Sequence, residues 1–151
     1  MVNLCQLAAK KGWKVFLLGG MEGAAEKAAE ELNSSLKIET DQGVKDIKNE
    51  KKEENERIIR KINQFQPQLL FVAYGAPYQE KWIAKNLPKL KVNIAMGAGG
   101  AFDYISGKVG RSPQFVREIG LEWLWRLIRE PWRIKRQLAL IKFLLLVIKE
   151  K

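Results

Sequence analysis

Three apolar runs in this chain end in glycine turns, and that recurrence constrains the fold more than any other feature. Lys14-Val15-Phe16-Leu17-Leu18 ends in Gly19-Gly20 and leads into an alanine-rich helix expected from about Glu22 to Asn33. Leu69–Tyr74 ends in Gly75-Ala76-Pro77, where Pro77 opens a helix reaching about Leu87. Val92–Met96 ends in Gly97-Ala98-Gly99-Gly100. Leu36–Glu39 reads as a weaker strand, and Lys51–Phe65 as an amphipathic helix with Ile58, Ile62 and Phe65 on one face. Strands alternating with helices predict an α/β fold with a parallel sheet. Ligands of such sheets bind beyond the carboxyl ends of the strands, so the three glycine turns are expected to line one crevice.

Composition narrows the chemistry. A chain of 151 residues that is 46% hydrophobic can bury a core without disulfides or a structural metal. It has one cysteine, Cys5, and no histidine, which excludes Ser-His-Asp and Cys-His nucleophile systems and the usual Cys/His zinc site. A disulfide within the chain is impossible, which fits a reducing compartment. Met1-Val2-Asn3-Leu4-Cys5 has neither the basic start nor the apolar core of a signal peptide. Leu4, Leu7 and Ala8 follow a helical spacing up to Gly12, but no capping residue precedes them. Either the chain opens inside an element or its first helix frays.

The net charge of +10 is unevenly placed: residues 1–110 carry 17 basic and 13 acidic side chains, and residues 111–151 carry 10 and 4. An anionic partner is therefore expected at the C-terminal part. From Pro113 the composition turns basic and tryptophan-rich, with helices expected at 113–119 and 121–129 and from Pro131 nearly to the end. The predicted organisation is a core of residues 1–112 and a helical appendage of 113–151. On a helix from Pro131, Lys135, Lys142 and Lys149 recur every seven residues beside a wide arc of leucine and isoleucine. The longest apolar stretch, Leu138–Ile148, is broken by Lys142 and falls short of the ~20 residues a spanning helix needs. It suits a helix lying in a membrane interface with its lysines reaching headgroups and Trp132 nearby, or else a helix packed on the domain or a second copy.

The candidate ligand groups follow from the turns. Gly19 and Gly20 permit close backbone approach to a phosphate, or simply make a tight connection. Gly97, Gly99 and Gly100, with Asp103 just beyond, suit a ribose, sugar hydroxyl or diphosphate; alternatively Asp103 caps its own helix. Gln79 can donate and accept hydrogen bonds, as sugar recognition requires. Beside it, Glu80 is what the helix dipole favours in a first turn. Arg126, Arg129, Arg133 and Arg136 share one side of a helix if the Pro131 kink is mild, and their planar donor forks match phosphate.

Three segments in order resemble the WecG/TagA/CpsF family of bacterial glycosyltransferases: Tyr74-Gly75-Ala76-Pro77-Tyr78-Gln79-Glu80-Lys81-Trp82, Gly97–Pro113, and Gly120–Arg133. The resemblance implies a Rossmann-like core and a membrane-associating appendage at the cytoplasmic face of the bacterial plasma membrane. It implies inverting transfer of N-acetylmannosamine from UDP to N-acetylglucosamine on undecaprenyl diphosphate, as in teichoic acid synthesis, with no cofactor and no essential metal. It also implies that Gln79 is the active-site glutamine and that Arg126, Arg133 and Arg136 neutralise the diphosphate. The family's proposed base lies in a Pro-Asp-Gly motif, whereas the aspartates here are Asp41, Asp46 and Asp103. A partial family member, incomplete as an enzyme, is the expectation, with a noncatalytic sugar-nucleotide or membrane-binding module as the alternative. Nucleic acid fits poorly, because the arginines adjoin a greasy, lysine-striped helix rather than a recognition motif. A second copy of the chain is a further candidate partner.

Overall fold

Val15, Phe16, Leu17 and Leu18 are all inaccessible to solvent, as a central parallel strand requires. Alternation sends Val15 and Leu17 to one face of the sheet and Phe16 and Leu18 to the other. The computed structural model describes residues 1–32, 36–108, 110, 113–121, 124, 125 and 128. The chain divides into two compact units, Met1–Gly110 and Arg111–Lys151.

In the first unit the elements run α1 (Val2–Lys11), β1 (Lys14–Gly19), α2 (Ala24–Leu32), β2 (Lys37–Asp41), α3 (Lys52–Phe65), β3 (Leu69–Ala73), α4 (Tyr78–Asn86), β4 (Ile94–Gly97) and α5 (Ala101–Ile105). The strands form one parallel sheet in the order β2-β1-β3-β4. Helices α1, α2 and α5 cover one face through Cys5, Ala8, Ala24, Ala25, Ala28 and Phe102. Helices α3 and α4 cover the other through Ile58, Ile62 and Trp82. The expected α/β class and parallel sheet are therefore present.

Element boundaries shift for local reasons. Helix α2 starts at Ala24 rather than Glu22, because Gly20 and Gly23 hold φ values of 92° and 69°, outside the helical region. Strand β4 starts at Ile94 rather than Val92. The Lys91 N–H is already donated to Asn63 Oδ1 (2.7 Å), and the ladder to β3 opens with Ile94 N–H donating to Gln68 O. Strand β2 runs on to Asp41, because it pairs residue for residue with Lys14–Leu18. Helix α1 ends as expected at Gly12, whose left-handed φ of 67° lets Trp13 N–H close back on Ala8 O.

In the second unit, α6 (Gln114–Glu118) ends at Gly120 (φ 73°), with Leu121 N–H donating to Val116 O at 3.0 Å. This is the helix stop that Gly120 predicts. The expectations for Arg126, Arg133, Arg136, Trp132, Lys135, Lys142 and Lys149 lie outside the described residues. No helix among the described residues is long and apolar enough to cross a membrane.

Candidate active site

The strand order creates the site. From β1 the chain crosses through α2 on one face to β2; from β3 it crosses through α4 on the other face to β4. The two connections diverge between β1 and β3, which leaves a crevice at their carboxyl ends. Gly19 and Gly20 leave β1 there, Tyr74-Gly75-Ala76-Pro77 leaves β3, and Gly97–Gly100 leaves β4 from the adjoining position.

Hydrogen bonds tie these turns to one another. Gly20 N–H donates to Ala73 O (3.0 Å), and Ala98 N–H donates to Val72 O (2.7 Å). Met21 N–H donates to Asp103 Oδ1 (3.1 Å), so α5 holds the β1 turn. Gly99 N–H donates to Gln79 Oε1 (3.0 Å), so α4 holds the β4 turn. The structure thus brings Gly19, Gly20, Gly97, Gly99, Gly100, Asp103 and Gln79 to one rim. It assigns Asp103 to the β1 turn rather than to its own helix end, so the capping alternative is set aside.

Close approach favours glycine at several of these positions, Gly20 and Gly97 among them. A Cβ on Gly20 would come within 3.1 Å of the Phe102 ring, and one on Gly97 within 2.5 Å of Gln79 Nε2. Gly99 is the opposite case, with a left-handed φ of 53° and open space in front of it. The Cα side of Gly99 therefore faces open space while its N–H is held by Gln79.

Supporting interactions hold the helices that carry these side chains. Trp82 Nε1 donates to Asn55 Oδ1 (2.8 Å), Asn55 Nδ2 to Asn86 Oδ1 (2.9 Å), and Asn86 Nδ2 to Trp82 O (2.9 Å). This buried chain fixes α4, and hence Gln79, against α3. On the β2 side, Asp41 accepts both Arg57 Nη1 (2.7 Å) and Nη2 (2.9 Å), Lys61 Nζ (3.2 Å) and the Gly43 N–H (2.8 Å). Burial alone pushes the Asp41 carboxyl up, but these donors outweigh it and hold its pKa at about 2. Asp41 is thereby committed to α3. The half-buried Tyr74 phenol accepts the Val44 N–H (3.2 Å), and desolvation pushes its pKa up, so it stays neutral. Burial likewise raises the Cys5 thiol, which lies on the core face of α1 and serves packing.

Lys108 falls within the Gly97–Pro113 segment, and the sequence assigns it no role of its own. The structure brings its ammonium to 3.4 Å from where a Cβ on Gly23 would stand, placing a cation over the turn that follows β1. A cavity of about 490 Å³ adjoins the same turn, lined by Gly20, Glu22, Gln42, Gly43, Val44 and Lys45. Among the described residues no three Cys, Asp or Glu side chains converge as a metal cage would require. What converges is a set of glycine turns held by Gln79 and Asp103, with the Lys108 ammonium beside them, a cation suited to phosphate oxygens.

The switch point of a parallel sheet is where α/β proteins of this architecture bind their ligands, and sequence comparison makes the class specific. The chain belongs to the WecG/TagA/CpsF family of glycosyl transferases, whose model matches residues 1–151. It is similar to the N-acetylglucosaminyldiphosphoundecaprenol N-acetyl-beta-D-mannosaminyltransferase of Bacillus subtilis (strain 168), at 33% identity over 154 residues. The match covers 99% of this chain and 57% of that relative, so the chain spans little more than half of the relative's length.

Proposed function

We propose that this chain forms the sugar-nucleotide side of an inverting N-acetylmannosaminyltransferase. The donor is UDP-N-acetylmannosamine and the acceptor is N-acetylglucosamine on undecaprenyl diphosphate, in the making of a teichoic acid linkage unit or a related surface polysaccharide. Family membership and the relative's acceptor support the reading. The observation that carries it is the convergence of the Gly19-Gly20 and Gly97–Gly100 turns with Gln79 and Asp103 at the switch point.

The chemistry follows from charge. When the bond between the sugar and UDP breaks, the leaving diphosphate gains negative charge. Preorganised donors at the place where that charge develops lower the barrier. Lys108 near Gly23 supplies one cation, and Arg126, Arg133 and Arg136 are proposed to supply the others. Gly99, with open space before it, lets the donor approach the turn closely. The basic, apolar sequence 131–151, with Lys135, Lys142 and Lys149 beside Trp132, supports peripheral attachment at the cytoplasmic membrane face, where a lipid-linked acceptor is found.

Two measurements test this reading. Titration with UDP is expected to shift the backbone resonances of Gly20, Gly99 and Asp103. If UDP leaves all three unmoved at millimolar concentration, the donor reading is wrong. UDP release from UDP-N-acetylmannosamine with a lipid-diphosphate acceptor then separates a transferase from a noncatalytic sugar-nucleotide module. For attachment, the full chain should cosediment with anionic liposomes more than a version ending at Glu130. Equal partitioning would rule out the membrane helix.

A further inference from the structure

Gln79 is only 7% exposed, and both ends of its carboxamide are already engaged. Its Oε1 accepts the Gly99 N–H at 3.0 Å, and its Nε2 donates to Glu80 Oε1 at 2.8 Å. The two partners enforce one orientation. Turned over, the amide would set its nitrogen against a backbone N–H and its oxygen against a carboxylate. The Gln79 side chain also fills the space beneath the turn: a Cβ on Gly97 would lie 2.5 Å from its Nε2 and 2.8 Å from its Cδ. Above that filled space, Gly99 faces open room.

We propose that Glu80 is a positioning residue of the donor site: its carboxylate fixes the Gln79 amide, and Gln79 in turn fixes the Gly97–Gly100 turn as a preformed wall for the sugar nucleotide. The proposal rests on the donor-site reading above. Glu80 is itself exposed on the first turn of α4, and its bond to Gln79 is charge-assisted, stronger than a neutral pair would give. The arrangement gives Gln79 a role that needs no contact with substrate. It acts through the Gly99 amide, whose neighbouring backbone meets the ligand. A turn rich in glycine is otherwise the most mobile wall a site can have, and misplacement by ~1 Å costs on the order of a hundredfold in rate.

The test exchanges the two side chains. Gln79→Glu sets two carboxylates against each other. It should speed hydrogen exchange at the Gly99 amide about tenfold and weaken UDP binding by a similar factor, the loss of about one hydrogen bond. The double change Gln79→Glu with Glu80→Gln restores both bonds, with only the one between positions 79 and 80 reversed: the new carboxylate accepts from Gly99 and from the new carboxamide. Gly99 exchange and UDP affinity should both return to within about threefold of the original, on the hydrogen-bond inventory of the exchanged groups. Glu80→Gln alone exchanges the charge-assisted bond for a neutral one, so in both readouts it should fall between the original and Gln79→Glu.

If the double variant stays as fast at Gly99 as the single one, the Glu80–Gln79–Gly99 link is wrong. If Gly99 recovers but UDP affinity does not, the Gln79 nitrogen touches the ligand directly and the positioning role is overturned. Failure of the unaltered chain to bind UDP would sink the donor reading, while Gly99 exchange would still decide the link between the three residues.

Discussion

Strands β3 and β4 are neighbours in register, Leu69 beside Ile94 and Phe71 beside Met96, yet they live in different environments. All five residues of β3 are buried, whereas Ile94 is 47% and Met96 37% exposed. Helix α4 and its neighbours cover the far face of both strands. On the near face α1, α2 and α5 cover β1 and β3 and stop short of β4. The difference shows two uses of an apolar strand. Strand β3 holds the core together, and β4 holds a glycine turn in place at its carboxyl end while its own near face stays open. Parallel strands are ordinarily covered on both faces, so Ile94 and Met96 mark a surface fit for burial.

The largest effect should separate these roles. Phe71→Ala removes a ring that is 1% exposed and should cost about 3–5 kcal/mol, as full-size core truncations do. Met96→Ala, at the register partner, should cost under about 1 kcal/mol, because much of the side chain already meets water. Urea denaturation of both variants checks the contrast. Similar losses would mean that β4 is packed in solution.

Next comes the turn that β4 carries. Gly97→Ala drives a methyl group into Gln79 and should cost about 1–3 kcal/mol while weakening UDP binding. Gly99→Ala meets open space but a left-handed backbone, a strain of about 1–2 kcal/mol. Calorimetric titration with UDP beside thermal melts should show Gly97→Ala losing affinity through a displaced Gln79. An alanine at 97 that binds UDP normally would uncouple β4 from the site.

These contrasts also mark what the sequence made legible. Glycine turns after apolar runs located the strand ends, because glycine at such places answers to backbone geometry that a linear pattern exposes. The pairing of Gln79 with Gly99, and of Asp103 with Met21, spans 20 and 82 residues and depends on strand order, which alternation of strands and helices does not specify. The buried Asn55–Trp82–Asn86 chain escaped for another reason: asparagine on a helix ordinarily reads as solvated. One signal was present. Asn55 lies three and seven residues before Ile58 and Ile62, on the apolar stripe of α3. Asn86→Leu leaves Asn55 Nδ2 without a buried acceptor and should cost about 1–3 kcal/mol, measurable by denaturant titration.

Away from β4, the opposite edge of the sheet gives a smaller and pH-dependent effect. The Asp41 carboxyl has a folded pKa of about 2 against 3.8 for a free aspartate, so the folded state binds its proton later than the unfolded chain. The resulting stability is fully present above about pH 4 and is lost as pH falls toward about 2. Arg57 is 49% exposed and water screens the pair, so the contribution is about 1 kcal/mol. Asp41→Asn should flatten the stability profile between those limits. An unchanged slope would assign acid sensitivity to other carboxylates.

The smallest expected change in stability tests the comparison most directly. Ile94 and Ala98 donate their N–H groups inward to β3, and the alternation of a parallel ladder then turns the Ala95 and Gly97 backbone outward, to an edge that no strand among the described residues covers. An open edge beside exposed apolar side chains is a template for pairing with another strand, and a lysine placed there opposes it. Ile94→Lys and Met96→Lys should therefore alter stability by no more than about 0.5 kcal/mol, the range of ordinary surface changes. Any concentration-dependent association measured by sedimentation should fall in the same variants. Should either lysine destabilise the fold as strongly as Phe71→Ala, β4 would be a core strand like β3, and its distinct role as the carrier of the Gly97–Gly100 turn would be lost.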